Sequence, residues 1–411
     1  MTFTPHAATR RELLLASGTL FAWAYLPKLA RAEGRDPRLL VIVLRGALDG
    51  LAAVAPVGDP DWLALRGNNA LTLDGKPAAL PLDSFFALNP AMPNLHRLYT
   101  SGAAAIVHAA ATPYRERSHF DGQDVLERGL PKPGAADSGW LNRALASLQP
   151  AGPAGSRDCF AIGPIAPLVV RGPAPVLSWT PRRLPPASGD TVMRLIELYR
   201  HTDPVLARVL EERMGLATIA RAGGMDGEQP RPAAAGQVRA YFAESAGTAA
   251  KFLARPDGPR IGALAFDGWD THAAEGAMNG RLATLLGALD GAIAAIETEM
   301  KDAWRETVVA IITEFGRTAR INGTDGTDHG TATVALLAGG ALKGGRVIAD
   351  WPGLKPGKLL EGRDLKPTTD LRAVLKGLLK DHLRVEPGVL ATKVFPDSVV
   401  VKPMSGLLQQ A

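Results

Sequence analysis

Cysteine is nearly missing from this chain: its 411 residues include one, Cys159, so no disulfide can form within it. Aromatic residues make up only 6%, and despite a net charge of +5 no dense Lys/Arg block is interleaved with them. That combination excludes the usual footprint of a nucleic-acid-binding protein. No apolar run reaches the ~20 residues that a membrane-spanning helix needs, and no internal repeat is visible. What remains is an ordinary globular balance, 46% hydrophobic and 21% charged, in which stability must come from a packed core.

The N-terminus reads as an address. Thr9-Arg10-Arg11-Glu12-Leu13-Leu14 opens a mildly apolar stretch to Pro27, and Ala30-Arg31-Ala32 supplies a small-residue cleavage site. Paired arginines ahead of such a stretch predict a twin-arginine signal over residues 1–32, with the twin-arginine translocase as the partner in export. The mature chain then begins near Glu33 and works outside the cytoplasm, in the periplasm or beyond. Proteins exported this way travel folded, often with a cofactor in place.

Residues 33–411 read as one α/β domain. Leu39–Leu44 is a continuous apolar run of the kind that forms a strand buried on both faces, and it ends in Arg45-Gly46-Ala47-Leu48-Asp49-Gly50. Ala104–Ala109 predicts a second strand after a short helix around Pro93–Tyr99, and Ser118 begins a helix running to Arg128. Residues 151–258 are rich in Pro and Gly before helical stretches at Val192–Tyr199, Pro204–Ile219 and Val238–Leu253, and predict a cap or insertion outside the central sheet. Strand and helix then alternate again: Ile261–Phe266, a helix with one apolar face from Leu282 to Ile296, Thr307–Thr313, and Ala332–Leu337.

Polar residues cluster just beyond these runs. Of Asp49, Ser118, Asp270, His272, Glu314, Asp328 and His329, most sit just after such a run; strand ends meet along one edge of an α/β sheet, so oxygen and imidazole ligands placed there converge. Each has a plainer reading. Asp49-Gly50 also suits a turn, and Glu314 also suits an ion pair with Arg317. Ser118-His119-Phe120-Asp121 is equally a nucleophile at a helix N-terminus or a helix-capping box. His119 fits either a donor behind the site or a core histidine. Arg45, Arg117 and Arg317 have the chemistry to clamp an oxyanion or to neutralise the acids.

Arg45-Gly46-Ala47-Leu48-Asp49-Gly50, Arg117-Ser118-His119-Phe120-Asp121, Asp270-Thr271-His272, Glu314-Phe315-Gly316-Arg317-Thr318, Gly326-Thr327-Asp328-His329-Gly330 and Asp350-Trp351-Pro352-Gly353-Leu354 together resemble the bacterial domain of unknown function 1501 family. That family in turn resembles the alkaline phosphatase-like and sulfatase-like superfamily. The resemblance implies a doubly wound, mostly parallel sheet flanked by helices, with one or two divalent metal ions at the strand ends. On it, Asp270, His272 and His329 would hold one metal, Asp49, Glu314 and Asp328 the other, and Ser118 would be the nucleophile, with His119 and Arg317 assisting. The expected substrate is a small phosphate, sulfate or related ester.

The chain departs from the superfamily in ways that matter. Its Asp270 and His272 are separated by one residue rather than three, and Glu314-Phe315 stands where an Asp-His pair is usual. A second site would then be oxygen-rich, suited to Mg, Mn or Ca more than Zn, or empty. No Cys or Ser followed by Pro and Arg provides a sulfatase signature. The competing reading is an inactive superfamily member that binds an anionic ligand or an envelope partner; a metal-dependent mutase fits less well with export.

Overall fold

Leu39-Leu40-Val41-Ile42-Val43-Leu44 divides its side chains between two cores. Leu40, Ile42 and Leu44 join one apolar cluster, while Leu39, Val41 and Val43 join another on the opposite face. A strand with this alternation and no exposed side must lie between two helical layers, which is why its sequence is apolar throughout.

The computed structural model describes residues 35–134, 136–148, 159–162, 166–174, 176–179, 199–200, 207, 235–256 and 258–409. The twin-arginine segment, its cleavage site and most of the helices expected between 192 and 219 lie outside the described residues. The strands are β1 (Arg38–Arg45), β2 (Val54–Ala55), β3 (Leu80–Pro81), β4 (Ala87–Leu88), β5 (Ala104–Ala111), β6 (Cys159–Ile162), β7 (Val176–Trp179), β8 (Ile261–Asp267), β9 (Thr307–Thr313), β10 (Thr333–Ala338), β11 (Arg346–Ile348) and β12 (Thr369–Asp370). The main sheet runs β11-β5-β10-β9-β1-β8-β6-β7 with β12 also on β5, and β2, β4 and β3 form a small separate sheet. Every described pairing in the main sheet is parallel except those of β10, which is antiparallel to both β9 and β5. This is the mixed α/β architecture, with a helix-flanked and mostly parallel sheet, that the apolar runs predict.

Helices Pro93–Thr100, Ala235–Ala254 and Arg281–Met300 cover one face, and Trp140–Leu148 and Leu371–Asp381 cover the other. The predicted apolar face Leu282, Leu285, Leu286, Leu289, Ile293 and Ile296 is buried throughout. The segment 151–258 behaves differently from expectation. Its β6 pairs with β8 and β7 extends β6, so this part continues the central sheet, and Ala235–Ala254 packs on that sheet. Two short strands in Pro/Gly-rich sequence carry little periodic signal. Among the described residues no helix is long and apolar enough to cross a membrane.

Candidate metal centre

The carboxyl ends of β1, β5, β8 and β9 open onto one edge of the sheet, and β10, being reversed, starts there. The segments after the first four and before the last therefore meet. Close packing of these loops depends on glycine. Gly46 has φ +119° and a Cβ on it would come within 2.5 Å of the Asp270 backbone nitrogen; a Cβ on Gly326 would lie 2.2 Å from the His272 carbonyl oxygen. Only a bare backbone lets the strand-end loops approach so near.

Three imidazoles and one carboxylate converge. Asp270 Oδ1 lies 3.1 Å from His272 Nε2 and 3.4 Å from His329 Nε2, and Asp270 Oδ2 lies 3.5 Å from His119 Nε2. Nε2 of His272 is 2.9 Å from Nε2 of His329. The far nitrogen of each ring faces an acceptor: His119 Nδ1 donates to Glu314 Oε1 at 2.9 Å, His272 Nδ1 to Asp328 Oδ1 at 3.3 Å, and His329 Nδ1 to the Arg117 carbonyl at 2.8 Å. Carboxylates and carbonyls only accept, so each Nδ1 carries a hydrogen; in the neutral ring Nε2 then turns a lone pair toward the centre, and in the protonated ring it donates to Asp270. His119 Nε2 is buried with no hydrogen-bond partner.

Such an arrangement is unfavourable without a positive charge at its centre, and it suits a divalent cation. One ligand atom each from His119, Asp270 and His329 lie within 4.8 Å of one another. Tetrahedral bonds of about 2.0–2.1 Å put ligand atoms roughly 3.4 Å apart, close to the separations around Asp270. Asp270 is 40% exposed and His272 46%, so the centre faces solvent on one side. This fits a site with access for a substrate, not a sealed structural one.

The surroundings set the charges. Burial would raise the Glu314 carboxyl, but His119, the Gly46 amide and Gln123 all donate to it and hold it below the usual carboxylate range. In return the Glu314 hydrogen bond raises His119. Burial and the neighbouring His119 lower His329. Burial also opposes ionisation of Asp270, yet Arg317, donating at 2.6 Å, keeps it below its ordinary value. The bond from Asn322 lowers Asp328.

Measured against the sequence expectations, Asp270, His272 and His329 do come together. His119, expected as an assisting residue, points its free nitrogen into the same centre. The second trio does not assemble. Asp49 is fully buried: its carboxylate caps the Gly50–Ala53 helix through the Leu51 and Ala52 amides and pairs with both terminal nitrogens of Arg66, which leaves it no role as a ligand. Glu314 and Asp328 orient imidazoles instead of meeting at a second cation. Glu314 also does not pair with Arg317, which is buried between Asp270 and Thr327 and is closed to solvent as an oxyanion clamp. Arg45 is committed to Glu127, and Arg117 to Asp364 and Glu361. Ser118 stands at the N-cap position of His119–Arg128 without a side-chain capping bond, and its amide donates to the Tyr114 hydroxyl at 3.2 Å.

Sequence reasoning missed two participants. Arg66 lies in a short helix, Trp62–Arg66, with no motif around it. The Arg117 carbonyl is aimed at His329 by a left-handed backbone, φ +61°, at a non-glycine residue. Only the folded chain displays that conformation.

The chain belongs to the family described as "Protein of unknown function (DUF1501)", which matches residues 98–394. All four converging residues and their orienting partners fall inside that span. No curated protein matches the chain significantly. Among solved structures it is similar to Ps i-CgsB bound to a neocarrahexaose, at 12% identity and TM-score 0.41 over 90% of this chain and 78% of that one. It is also similar to the C-terminal periplasmic domain of EcEptC from Escherichia coli in complex with Zn, at 12% identity and TM-score 0.33 over 76% and 77% of the two chains. A third is the phosphonate monoester hydrolase of Agrobacterium radiobacter, at 13% identity and TM-score 0.35 over 76% and 70%.

Proposed function

We propose that this protein is an exported metal-dependent hydrolase of a phosphate, sulfate or related ester, with His119, Asp270, His272 and His329 holding one divalent cation. The observation that supports it most is the set of imidazoles locked by acceptors on Nδ1 and converging through bare Nε2 atoms on one carboxylate. Nitrogen-rich ligation of this kind suits Zn or a similar borderline metal better than Mg or Ca. When bound, the cation supplies Lewis acidity toward an ester oxygen and makes a nearby water or hydroxyl more acidic.

The chain's own groups do the rest. Glu314 fixes the His119 tautomer and Asp328 that of His272, as outer partners of metal ligands commonly do. Arg317 holds the Asp270 carboxylate ionised. Ser118, next to His119 and free of a capping bond, is the proposed nucleophile. Export is supported by Arg10-Arg11 and the small-residue site at Ala30–Ala32.

One observation favours the inactive reading, with an envelope partner in place of an anionic ligand. Arg45, Arg117 and Arg317 are all consumed in ion pairs, so none is free to clamp an ester oxygen at the cluster. Metal analysis and turnover separate the readings. The hydrolase takes up one equivalent of metal and cleaves 4-nitrophenyl phosphate or sulfate, and His329→Ala loses both properties while staying folded. A metal-loaded protein that cleaves neither ester supports the binding reading, and a protein that retains no cation sinks the hydrolase and leaves only that reading.

A further inference from the structure

Beside the cluster lies a cleft of about 270 Å³ whose walls include Leu65, Ile321, Leu359, Arg320, Arg363 and Asp328. It is tied to the metal ligands by direct bonds. Asp328 accepts from His272 Nδ1 at 3.3 Å, and Arg363 donates to the His329 carbonyl oxygen at 2.7 Å. The cleft therefore begins one side chain away from the centre.

Its charges do not cancel. Asp328 is spent on His272 and Asn322, and Arg363 is spent on Asp364 and the His329 carbonyl. Arg320 is exposed, and its guanidinium has no hydrogen bond or ion pair among the described residues. Leu65, Ile321 and Leu359 make part of the wall apolar, so the cleft pairs a small apolar surface with an uncommitted cation among its lining residues.

We propose that this cleft receives the leaving alcohol of the substrate and selects alcohols that carry a second anionic group, a carboxylate or sulfate, on an apolar frame, with Arg320 as the residue that reads the anion. The proposal rests on reading the cluster as the hydrolytic centre. Guanidinium suits the task because it presents paired donors to a planar oxyanion. The size suits a small group: at about 270 Å³ the cleft falls just below the ~300–1,000 Å³ typical of small-molecule sites.

The test uses non-hydrolysable probes and calorimetric titration of the metal-loaded protein. Phenylphosphonate reports the cluster alone, benzoate the cleft alone, and 3- or 4-carboxyphenylphosphonate both together. A carboxyphenylphosphonate is expected to bind wild type at least tenfold more tightly than phenylphosphonate, and Arg320→Gln is expected to reduce that advantage to less than threefold. Equal affinity of the two phosphonates for wild type overturns the proposal, as does an advantage that survives Arg320→Gln. If phenylphosphonate binds the chelated protein as well as the loaded one, the hydrolytic reading of the cluster fails. Loss of benzoate binding in Arg320→Gln would then still support the cleft as an anion site. If phenylphosphonate requires metal but the carboxylate adds nothing, the cluster stands and the leaving-group subsite does not.

Discussion

Nε2 of His272 approaches Nε2 of His329 to 2.9 Å, although the other nitrogen of each ring already donates to an oxygen. Two lone pairs at that distance repel, and only a proton or a cation between them turns the contact into an attractive one.

A proton and a cation held there would therefore compete, which would make metal binding pH-dependent. In the metal-free protein His119 is raised above the ordinary imidazole value of 6.5 by its bond to Glu314, so it takes up a proton earlier on acidification than a free histidine. His329 is lowered and protonates later. Metal affinity is expected to be highest above the raised His119 value and to fall as pH drops through it, by about tenfold per pH unit for each proton displaced. A competition titration with a chromophoric chelator between pH 5 and 8 measures this. A flat profile would rule out imidazole ligation.

Glu314→Gln isolates the orienting role. The amide still fills the space but no longer stabilises a donating His119 as a carboxylate does. Metal affinity is expected to drop about 10–100-fold, the usual cost of losing an outer-shell partner. Complete loss of metal binding in Glu314→Gln would instead restore Glu314 as a direct ligand.

Ser118→Ala separates chemistry from capping. Replacement of a serine that bonds to the helix amides costs about 1 kcal/mol, but Ser118 makes no such bond. The variant is expected to melt within a degree or two of wild type and keep its metal, while hydrolysis of an activated phosphate ester falls at least a hundredfold. Normal turnover would transfer the nucleophile's role to water.

The pair Asp49 and Arg66 predicts stability effects without metal effects. Arg66→Met strands a buried carboxylate and is expected to cost about 3–5 kcal/mol, with metal content unchanged. Nearby Glu275 accepts from Thr271 at 2.9 Å and Thr327 at 3.1 Å, and burial together with the Asp49 charge pushes its carboxyl up to about 8. A raised carboxyl binds its proton more tightly in the folded state. Its contribution is thus fully present below the unfolded value near 4.5 and is lost as pH rises through about 8. Glu275→Gln is expected to flatten the decline in melting temperature over that window and to melt higher than wild type at pH 8. An unchanged slope in Glu275→Gln would place the titrating group elsewhere.

Much of the fold was legible because burial on both faces leaves no freedom in composition: Leu39–Leu44 and Thr307–Thr313 read as buried strands and are so. Asp270, His272 and His329 were legible because a strand end limits where a following side chain can point. Asp49 was misassigned for the same reason in reverse. Its position after β1 is correct for a ligand, but its fate was decided by Arg66, whose approach depends on a tertiary contact that no local spacing records. His119 was overshadowed by Ser118, since helix-start patterns advertise the capping serine and say nothing about which ring the first turn presents. The strands β6 and β7 lie in a Pro/Gly-rich stretch with no alternation to announce them.

The reversal of β10 bears on the order of assembly. Because β10 returns beside β9, residues 314–332 form a single excursion between neighbouring strands, and a bridge between Arg317 and His329 closes it. Glu314, Arg317, Thr327, Asp328 and His329 can gather there at the modest entropic cost of a short loop. His119, Asp270 and His272 arrive on separate segments that reach the site only once the long parallel crossovers are in place. A cation held as proposed would need both halves, so it would bind only after the sheet has formed, as a late clasp on a nearly finished chain that could not seed its folding.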